Sequence, residues 1–326
     1  MAPLLSIEGL KVRYEQPSRA TCARWTVSTW RSKPARPSPS SASRAAERRR
    51  PRYSILRLVE PGRIVGGRIL FQGRDLLTLS EKEMRRVRGA GIGIAFQEPG
   101  AALNPVLKIG TQVGESLRIH KGLSRKAAWT EAVRLLEAVS LPDPERQAGV
   151  VRPRAVGGMK QRAMLAIALS CSPALLIADE PTSALDVTIQ AQILDLLRKL
   201  KADYKLTVLL ITHDFGVVAE VADRVGVMYA GRLVEEARTR RAVRRSEAPL
   251  HPGAPPRDAR GRRRPPREAA ARPSGKRARS RRTAAGCRFH PRCPEVFAPC
   301  ATIEPELLAL GGGRRVACHL HTTARG

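Results

Sequence analysis

Two adjacent carboxylates and one histidine follow two separate, mostly apolar runs of the chain. Asp179 and Glu180 come directly after 175–178, and His213 follows 206–211 with one threonine between them. Short apolar runs of this kind predict strands buried on both faces, and ligands of such sheets bind where the strands end. There one carboxylate can hold Mg²⁺, its neighbour can activate an attacking water, and a histidine can contact a terminal phosphate. The pattern therefore predicts hydrolysis of a nucleoside triphosphate.

Strand and helix patterns alternate along the rest of the chain. Alternating apolar and polar residues predict a half-buried or edge strand at 4–14, and 67–73 is predicted to be a strand closed by a glycine turn. Residues 80–83 have the sequence of a helix capping box, and 100–165 is predicted to be mostly helical, with an amphipathic helix at 124–139. Strands that alternate with amphipathic helices predict an α/β fold with a mainly parallel sheet and helices on both faces.

Four short motifs resemble, in their order and spacing, those of the ATP-binding subunits of ABC transporters, and specifically of oligopeptide and dipeptide importers. They are Phe-Gln97-Glu-Pro followed by Ala-Leu-Asn104-Pro105, then Gly157-Gly158-Met-Lys-Gln-Arg162, then Asp179-Glu180 with Ser183-Ala-Leu-Asp186, and finally Thr212-His213-Asp214. Several motifs in the correct order are far more specific than any one of them. The resemblance covers about 54–236 and implies a P-loop NTPase-like fold with an N-terminal antiparallel β portion and a helical subdomain. It also implies ATP and Mg²⁺ as cofactors.

The resemblance implies roles for four residues around the phosphates. Asp179 would support Mg²⁺, and Glu180 would polarise the hydrolytic water. Gln97 would contact the metal and the attacking water, and would couple the site to a transmembrane partner. His213 would meet the γ-phosphate. Each of these side chains alone has an ordinary structural interpretation, so the order of the motifs is what favours the catalytic one.

The resemblance also implies further contacts with the nucleotide. Gly157 and Gly158 open a helix and would clamp the γ-phosphate bound on the opposite subunit, because glycines there bare backbone N–H groups whose dipoles favour an anion. Gln161 belongs to the same motif and is expected to bind the nucleotide with it. Asp186 would reach across a dimer interface. Tyr14 aligns with the adenine-stacking aromatic residue of the family, and an ordinary half-exposed strand tyrosine is an equally good interpretation of it.

The chain departs from the family pattern in two places. The family has a Gly-x-x-x-x-Gly-Lys-Ser/Thr loop just before a helix that matches 54–60, whereas 17–53 contains no glycine, so we expect no phosphate cradle there. The usual serine before the two glycines of the signature motif is Val156. Charge-assisted phosphate contacts contribute about 1.5–3 kcal/mol each, and micromolar binding needs about 8 kcal/mol in total. The sequence therefore predicts poor ATP binding.

Two segments carry most of the net charge of +30. Residues 17–53 have ten lysines and arginines against Glu47, and 237–286 has seventeen against three acidic residues. Both segments are rich in arginine, proline, alanine and serine, with too little apolar surface to become ordered. Disordered filler is the favoured interpretation, with a basic nucleic-acid-binding arm and out-of-frame translation of GC-rich DNA as alternatives. The high charge is therefore a property of these two segments, an aberrant stretch at 17–53 and a linker at 237–286.

Four cysteines are clustered in a C-terminal segment, 287–326, which we expect to be a unit separate from the nucleotide-binding domain at 1–236. Their spacing is C-x5-C-x6-C-x17-C, and they are Cys287, Cys293, Cys300 and Cys318. Clustered cysteines in a cytoplasmic protein favour a metal over disulfides, although no C-x2-C pair supports structural zinc. The segment resembles the cysteine-bearing end of peptide-importer ATPases, which implies a [4Fe–4S] cluster. Unliganded thiols and zinc stay open as alternatives.

These observations favour one function and leave two others open. The favoured function is the ATP-hydrolysing subunit of a peptide importer, peripheral at the cytoplasmic face of the cell membrane. It would work with a second ATP-binding subunit, two transmembrane permeases and a peptide-binding protein outside the membrane. A non-catalytic relic of the same family is the first alternative, and a basic nucleic-acid-binding protein is the second. The start of the chain lacks a secretory signal pattern, and its longest apolar stretch, 163–178, is too short and broken to cross a bilayer.

Overall fold

The computed structural model describes most of the chain, namely 3–14, 25–32, 44–45, 51–59, 62–151, 157–183, 185–239 and 285–322. The strands are β1 (Leu5–Tyr14), β2 (Trp25–Ser32), β3 (Arg44–Ala45), β4 (Gly62–Phe71), β5 (Arg74–Asp75), β6 (Ile92–Ala95), β7 (Leu175–Asp179), β8 (Thr207–Ile211), β9 (Arg224–Tyr229), β10 (Arg232–Arg238), β11 (Leu308–Ala309) and β12 (Arg315–Val316). The helices are α1 (Pro51–Ile55), α2 (Glu81–Val87), α3 (Pro99–Ala102), α4 (Ile109–Lys121), α5 (Arg125–Ala138), α6 (Pro144–Ala148), α7 (Gly157–Leu169), α8 (Val187–Asp203), α9 (Phe215–Val221) and α10 (Pro299–Thr302). Two 3₁₀ turns, His290–Arg292 and His319–His321, complete the C-terminal segment.

A three-stranded parallel sheet, β6-β7-β8, forms the centre of the fold. Every residue of β7 and of β8 is buried. Leu176 and Ala178 of β7 pack into a core shared with helices α4, α5, α7 and α8. Leu175 and Ile177 face the other way, into a core shared with β1, β4, α1 and α2. Because side chains alternate along a strand, this sheet separates the two cores, and the predicted parallel sheet covered on both faces is confirmed.

A second sheet has nine strands and contains the predicted N-terminal antiparallel portion. Its main order is β11-β12-β10-β2-β1-β4-β5, with β3 and β9 joined off this path. β1 pairs antiparallel with both β2 and β4, so it is an interior strand and not an edge strand. The two sheets together place the parallel strands between the helices and this larger sheet.

The expectation that 17–53 is wholly without order is wrong for three short stretches, the last of which, 51–53, begins α1. Residues 25–32 form β2, which pairs along β1 from Leu5↔Ser32 to Val12↔Trp25, and 44–45 pairs with β9. The stretch Trp-Thr-Val-Ser-Thr-Trp is rich in aromatic and β-branched residues, which favour strands. Composition averaged over the whole basic segment hides this local preference. Residues 17–24, 33–43 and 46–50, and 240–284 of the predicted linker, lie outside the described residues.

The first helix differs from the helix expected at 54–60. It spans Pro51–Ile55 and ends before Arg57, whose φ of 56° lies in the left-handed region that an α-helix cannot continue through. The Arg57 guanidinium donates to the carbonyl oxygen of Leu79 at 2.5 Å. The chain therefore turns back toward α2 where the resemblance implied a further helical turn.

Helices α3 to α7 occupy most of 100–165, as the sequence predicts. Ser124 caps α5 by accepting a hydrogen bond from the backbone N–H of Ala127 at 3.2 Å. The capping box of α2 is also confirmed, since Ser80 and Glu83 exchange side-chain to backbone hydrogen bonds. None of the helices within the described ranges is long and apolar enough to cross a bilayer.

The C-terminal segment extends the large sheet, so the expectation of a separate unit is wrong. β12 pairs antiparallel with β10 through Glu235↔Val316 and Glu236↔Arg315, and β11 pairs with β12. The ring of Phe289 stands edge-on to that of Tyr229, with centroids 5.2 Å apart. The sequence could not predict this pairing, because β12 has only two residues and alternation of apolar and polar residues needs a longer strand.

We predict that Gly93→Ala destabilises the fold. A Cβ atom at Gly93 in β6 would lie 2.1 Å from the carbonyl oxygen of Ala168 in α7. To relieve this clash the backbone of β6 or of α7 would have to move. The free energy of unfolding, measured by urea titration, should fall by about 1–3 kcal/mol. The matched control is Gly66→Ala in β4, whose added Cβ meets nothing nearer than Lys11 Cδ at 3.8 Å. It should change stability by less than about 0.5 kcal/mol, and equal losses in the two variants would contradict the close approach of β6 and α7.

Candidate active site and cysteine cavity

Glu180 is the first residue after β7, and its backbone is fixed to the neighbouring strand. Asp179 pairs with Ile211 at the end of β8, and the Glu180 N–H donates to the carbonyl oxygen of Ile211 at 2.7 Å. Glu180 has a φ of 45°, a conformation uncommon outside glycine that tends to occur at functional sites. The Ser183 hydroxyl donates to the Glu180 carbonyl oxygen at 2.9 Å. The strand end and this turn together fix where the carboxylate lies.

The Glu180 carboxylate contacts two side chains that are distant in sequence. Gln97 Nε2 donates to Glu180 Oε2 at 2.6 Å, and His213 Nδ1 lies 3.4 Å from Glu180 Oε1. The carboxylate side chain is 16% exposed and the imidazole 66% exposed, so the cluster opens to solvent on the histidine side. The structure thus brings together the three residues that the sequence predicts to be catalytic.

A hydrogen-bonded turn holds His213 at the end of β8. Asp214 caps α9, because its Oδ1 accepts from the backbone N–H of Gly216 at 2.7 Å and from that of Val217 at 3.4 Å. The Asp214 N–H in turn donates to the hydroxyl of Thr212 at 3.0 Å. Thr212 and Asp214 belong to the Thr-His-Asp motif, and the resemblance assigned a role there only to His213. An aspartate just before an apolar helical run is an N-cap signal, and it could have predicted that Asp214 caps α9.

The oxygen donors beside Glu180 suit a hard cation. Asp179 is fully buried at the end of β7, and the Gln97 side chain reaches the same strand end through Glu180. Carboxylate and amide oxygens are the protein ligands that Mg²⁺ accepts, usually from one or two carboxylates with phosphates and water. Asp179 and Gln97 therefore fit the predicted magnesium site.

Gly158 and Gln161 lie on α7, away from solvent. A Cβ atom at Gly158 would come within 2.9 Å of Ile189 Cγ2, so glycine allows α7 to approach α8. The Gln161 side chain is 3% exposed, and among the described residues its Nε2 has no hydrogen-bond partner. No hydrogen bond within the described ranges joins these residues to Glu180. Val156, the residue that replaces the usual serine, lies outside the described residues, and Gly157 is the first residue of α7.

The two remaining predicted nucleotide contacts have different surroundings. Asp186 is exposed and caps α8, because its Oδ1 accepts from the backbone N–H of Ile189 at 2.9 Å. Val187, which follows it, is 84% exposed. Tyr14 is the last residue of β1, and its side chain lies outside the described part of the structure.

The four C-terminal cysteines line one cavity of about 500 Å³. All four are free thiols. Burial raises the pKa of Cys293 and of Cys318, and the charges of neighbouring cysteines raise it further. Residues 232–234 of β10 form part of the wall on the side of the large sheet. The cavity therefore lies between the C-terminal segment and β10.

The arrangement of the thiols distinguishes between kinds of metal group. A single ion such as zinc needs its ligands about 2.0–2.3 Å from one point, and within the described ranges no three histidine, cysteine or acidic side chains are grouped to hold an ion. A multi-iron cluster is larger and is held by thiolates around its outside. The four cysteines share one cavity, and their side chains are not grouped to hold a single ion within the described part of the chain.

Comparison with known proteins finds similarity to ATP-binding proteins of transport systems. A family model described as ABC transporter matches residues 53–183. The oligopeptide transport ATP-binding protein OppD of Salmonella typhimurium is 41% identical over 273 residues, which cover 82% of this chain and 78% of that protein. A protein of Brucella melitensis, named provisionally as a peptide import ATP-binding protein, is 52% identical over 206 residues, 61% of this chain and 60% of that relative. The chain thus spans about three-fifths of the length of the Brucella relative.

Solved structures share the fold. The dimeric post-hydrolysis state of the ATP-binding cassette MJ0796 bound to ADP and Pi gives a TM-score of 0.59 at 21% identity, covering 72% of this chain and 98% of the other. At this identity the likeness concerns the fold alone, and it confirms the predicted cassette architecture of a parallel sheet with helices and an antiparallel β portion.

We predict that Asp214→Ala loosens the turn that carries His213. Loss of an N-cap side chain costs about 0.5–2 kcal/mol, so the free energy of unfolding measured by urea titration should fall by about 1 kcal/mol. Asp214→Asn is the matched variant, because asparagine caps helices about as well as aspartate and should retain most of the stability. If the asparagine variant lost as much as the alanine variant, the cap would not be the reason for the loss.

Proposed function

The chain belongs to the ABC transporter family of ATP-binding proteins, and from that premise we propose that it is the ATP-binding and ATP-hydrolysing subunit of an importer for oligopeptides or dipeptides. The observation that carries the proposal is the Glu180 carboxylate at the end of β7, contacted by Gln97 at 2.6 Å and by His213 at 3.4 Å. A base needs to lie within hydrogen-bond reach of the water it activates, and the end of a parallel strand is where a bound phosphate would lie.

Each residue of this site would have a separate role in hydrolysis. Asp179 and Gln97 would hold Mg²⁺, which when bound neutralises charge on the transferred phosphate. Glu180 would accept a hydrogen bond from the attacking water, because each oxygen of an ionised carboxylate can accept a further bond besides the contact it makes with Gln97 or His213. His213, with its exposed ring, would be available to donate to a γ-phosphate oxygen.

The partners of the chain follow from the same proposal. It would form a dimer with a second ATP-binding subunit, identical or paralogous, in which Gly157 at the start of α7 faces the nucleotide of the other subunit. Gly158 and Gln161 are buried within the fold, so they would support this helix end from behind. Asp186 would lie at that interface, which its exposed position at the start of α8 supports. The dimer would work beneath two transmembrane permeases supplied by a peptide-binding protein, at the cytoplasmic face of the membrane. The proposal includes no nucleic acid.

We infer that this chain lacks the usual phosphate-binding loop. Residues 17–53 contain no glycine, and the match to the family model begins at residue 53, after that stretch. β2 occupies 25–32 of it. The hydrolytic residues are thus present without the backbone amides that would cradle the phosphates, which favours weak ATP binding or a relic without activity.

We further infer a [4Fe–4S] cluster on Cys287, Cys293, Cys300 and Cys318. The support is that all four thiols line one cavity and that none is in a disulfide. Iron would lower the pKa of thiols that burial now raises, since a coordinating thiol is deprotonated.

We predict that the purified chain binds MgATP with a dissociation constant weaker than about 100 µM, because several contacts of about 1.5–3 kcal/mol each are missing. Isothermal titration calorimetry would measure it. The matched variant keeps β2 and α1 and replaces 33–50, the stretch between them, by a Gly-x-x-x-x-Gly-Lys-Ser loop. It should bind at least about tenfold more tightly and hydrolyse ATP in a manner abolished by Glu180→Gln. Micromolar binding by the unaltered chain would contradict the inferred loss of the loop. A loop-bearing variant that binds ATP without Glu180-dependent hydrolysis would contradict the proposed function.

We predict that chain purified without oxygen contains iron. Iron and acid-labile sulfide should approach four of each per chain, with broad visible absorption, because four thiolates can hold such a cluster. Cys300→Ser should lose most of the iron, whereas Cys171→Ser should keep it, because Cys171 lies in the helical region with its thiol near the carbonyl oxygen of Ser116. A colourless and iron-free sample would reject the cluster.

A further inference from the structure

The cysteine cavity is built from two parts of the chain that are separated in sequence. The C-terminal segment supplies all four thiols, and residues 232–234 of β10 supply part of the facing wall. The backbone N–H of Ala317, next to Cys318, donates to the carbonyl oxygen of Val234 at 2.8 Å. The position of Cys318 therefore depends on how β12 is attached to β10.

Two consecutive glutamates of β10 hold β12 through buried ion pairs. Arg314 Nη2 lies 2.8 Å from Glu235 Oε1, and Arg315 Nη2 lies 2.6 Å from Glu236 Oε2. The glutamates are 1% and 4% exposed. Successive residues of a strand point to opposite faces, so the two pairs fasten β12 on both sides of the sheet.

Glu236 also joins the attachment to the hairpin formed by β9 and β10. Arg224, the first residue of β9, places Nη2 2.8 Å from Glu236 Oε1 and donates from the same atom to the carbonyl oxygen of Gly313 at 3.1 Å. Burial alone would raise the pKa of Glu236, but hydrogen bonds and charge from Arg224 and Arg315 outweigh it and hold that pKa below its usual value. A carboxylate so placed is ionised, and removing one partner from a buried pair leaves an uncompensated charge.

We propose that Glu236 and Arg315 are positioning residues of the cysteine site, which keep β12 on β10 and thereby hold Cys318 against the other three thiols. The cavity is a joint site of the sheet and the C-terminal segment, and it exists in its four-thiol form only while the segment is docked. Any group that binds all four thiols stabilises the docked segment by mass action, since it binds the closed form alone.

Docking of the C-terminal segment controls how fast a reagent can reach the cysteines. Cys300 is 6% exposed in the docked segment, so a bulky thiol reagent reaches it only after the segment opens. When closing is faster than reaction, the labelling rate follows the population of the open form. Weakening the Glu236–Arg315 pair therefore raises labelling at Cys300 and Cys318 and leaves distant thiols unchanged.

The test is site-resolved labelling of the full chain, reduced and stripped of metal by a chelator, with N-ethylmaleimide at one pH. In Glu236→Gln the rates at Cys300 and Cys318 should rise at least about tenfold, which corresponds to about 1.4 kcal/mol. Cys171, which is 8% exposed in the helical region, serves as the internal control and should keep its rate. Glu306→Gln removes the same charge from an exposed residue that lines the cavity, and it should change the rates by less than about twofold.

A second variant keeps the test decisive if Glu236→Gln unfolds the whole chain. Arg315→Met leaves Glu236 paired with Arg224, so the fold should survive while β12 loses one attachment. It should raise the rates at Cys300 and Cys318 by an intermediate factor with Cys171 unchanged. Unchanged labelling at both cysteines in a folded Arg315→Met chain would overturn the proposal, as would a rise at Cys171 equal to that at Cys300. Restored slow labelling in Glu236→Asp would support it further.

Docking of the C-terminal segment by Glu236 and Arg315 is independent of the proposed transport function. Labelling needs neither nucleotide nor iron, so a chain that fails to bind ATP or to hold a cluster still answers the question. Conversely, a chain with a repaired phosphate loop could hydrolyse ATP and still show unchanged labelling in Glu236→Gln. The proposed function would then hold while the role of Glu236 at the cysteines failed.

Discussion

The register of three parallel strands is the constraint on which the candidate active site depends. β7 lies between β6 and β8, and its hydrogen bonds continue one residue past the strand, where the Glu180 N–H meets the Ile211 carbonyl oxygen at 2.7 Å. A one-residue slip would turn the side chains of β7 to the opposite faces of the sheet. It would also remove Glu180 from Gln97 and His213, which follow the other two strands. The two cores packed against β7 oppose such a slip, because each accepts only alternate residues of the strand.

The larger sheet contributes a different kind of attachment. Apolar packing fixes the parallel strands, whereas β12 is held on β10 by charges that are largely shielded from water. A buried charge without a partner raises the free energy of the folded chain. These ion pairs therefore act mainly by disfavouring arrangements in which β12 is displaced and one partner is left unpaired. That property suits a short two-residue strand, which has too few backbone hydrogen bonds to fix its own position. The strand β10 thereby joins the cysteine cavity to the N-terminal strands, because it pairs with β12 and also with β2.

The sequence predicted the long, periodic elements and the residues that gather at strand ends. Apolar runs located β7 and β8, helical spacing located α5, and the two acids with the distant glutamine and histidine were predicted to meet. Short or locally determined features were missed. β2 was hidden by the composition of the basic segment around it, and β12 is too short to show a period. The ion pairs of Glu235 and Glu236 join positions far apart in sequence, so no local pattern could indicate them. The left-handed turn at Arg57 likewise depends on a tertiary hydrogen bond to Leu79.

The most direct test of the account is hydrogen exchange at a single backbone amide, that of Glu180. Because this N–H is bonded to Ile211 between two buried strands, it should exchange as slowly as the amide of Ile177 within β7, in the absence of any nucleotide. The measurement is made by NMR on the full chain at neutral pH. Exchange of the Glu180 amide as fast as that of an exposed loop would mean that the strand register does not fix the carboxylate, and the catalytic arrangement built on it would then be wrong.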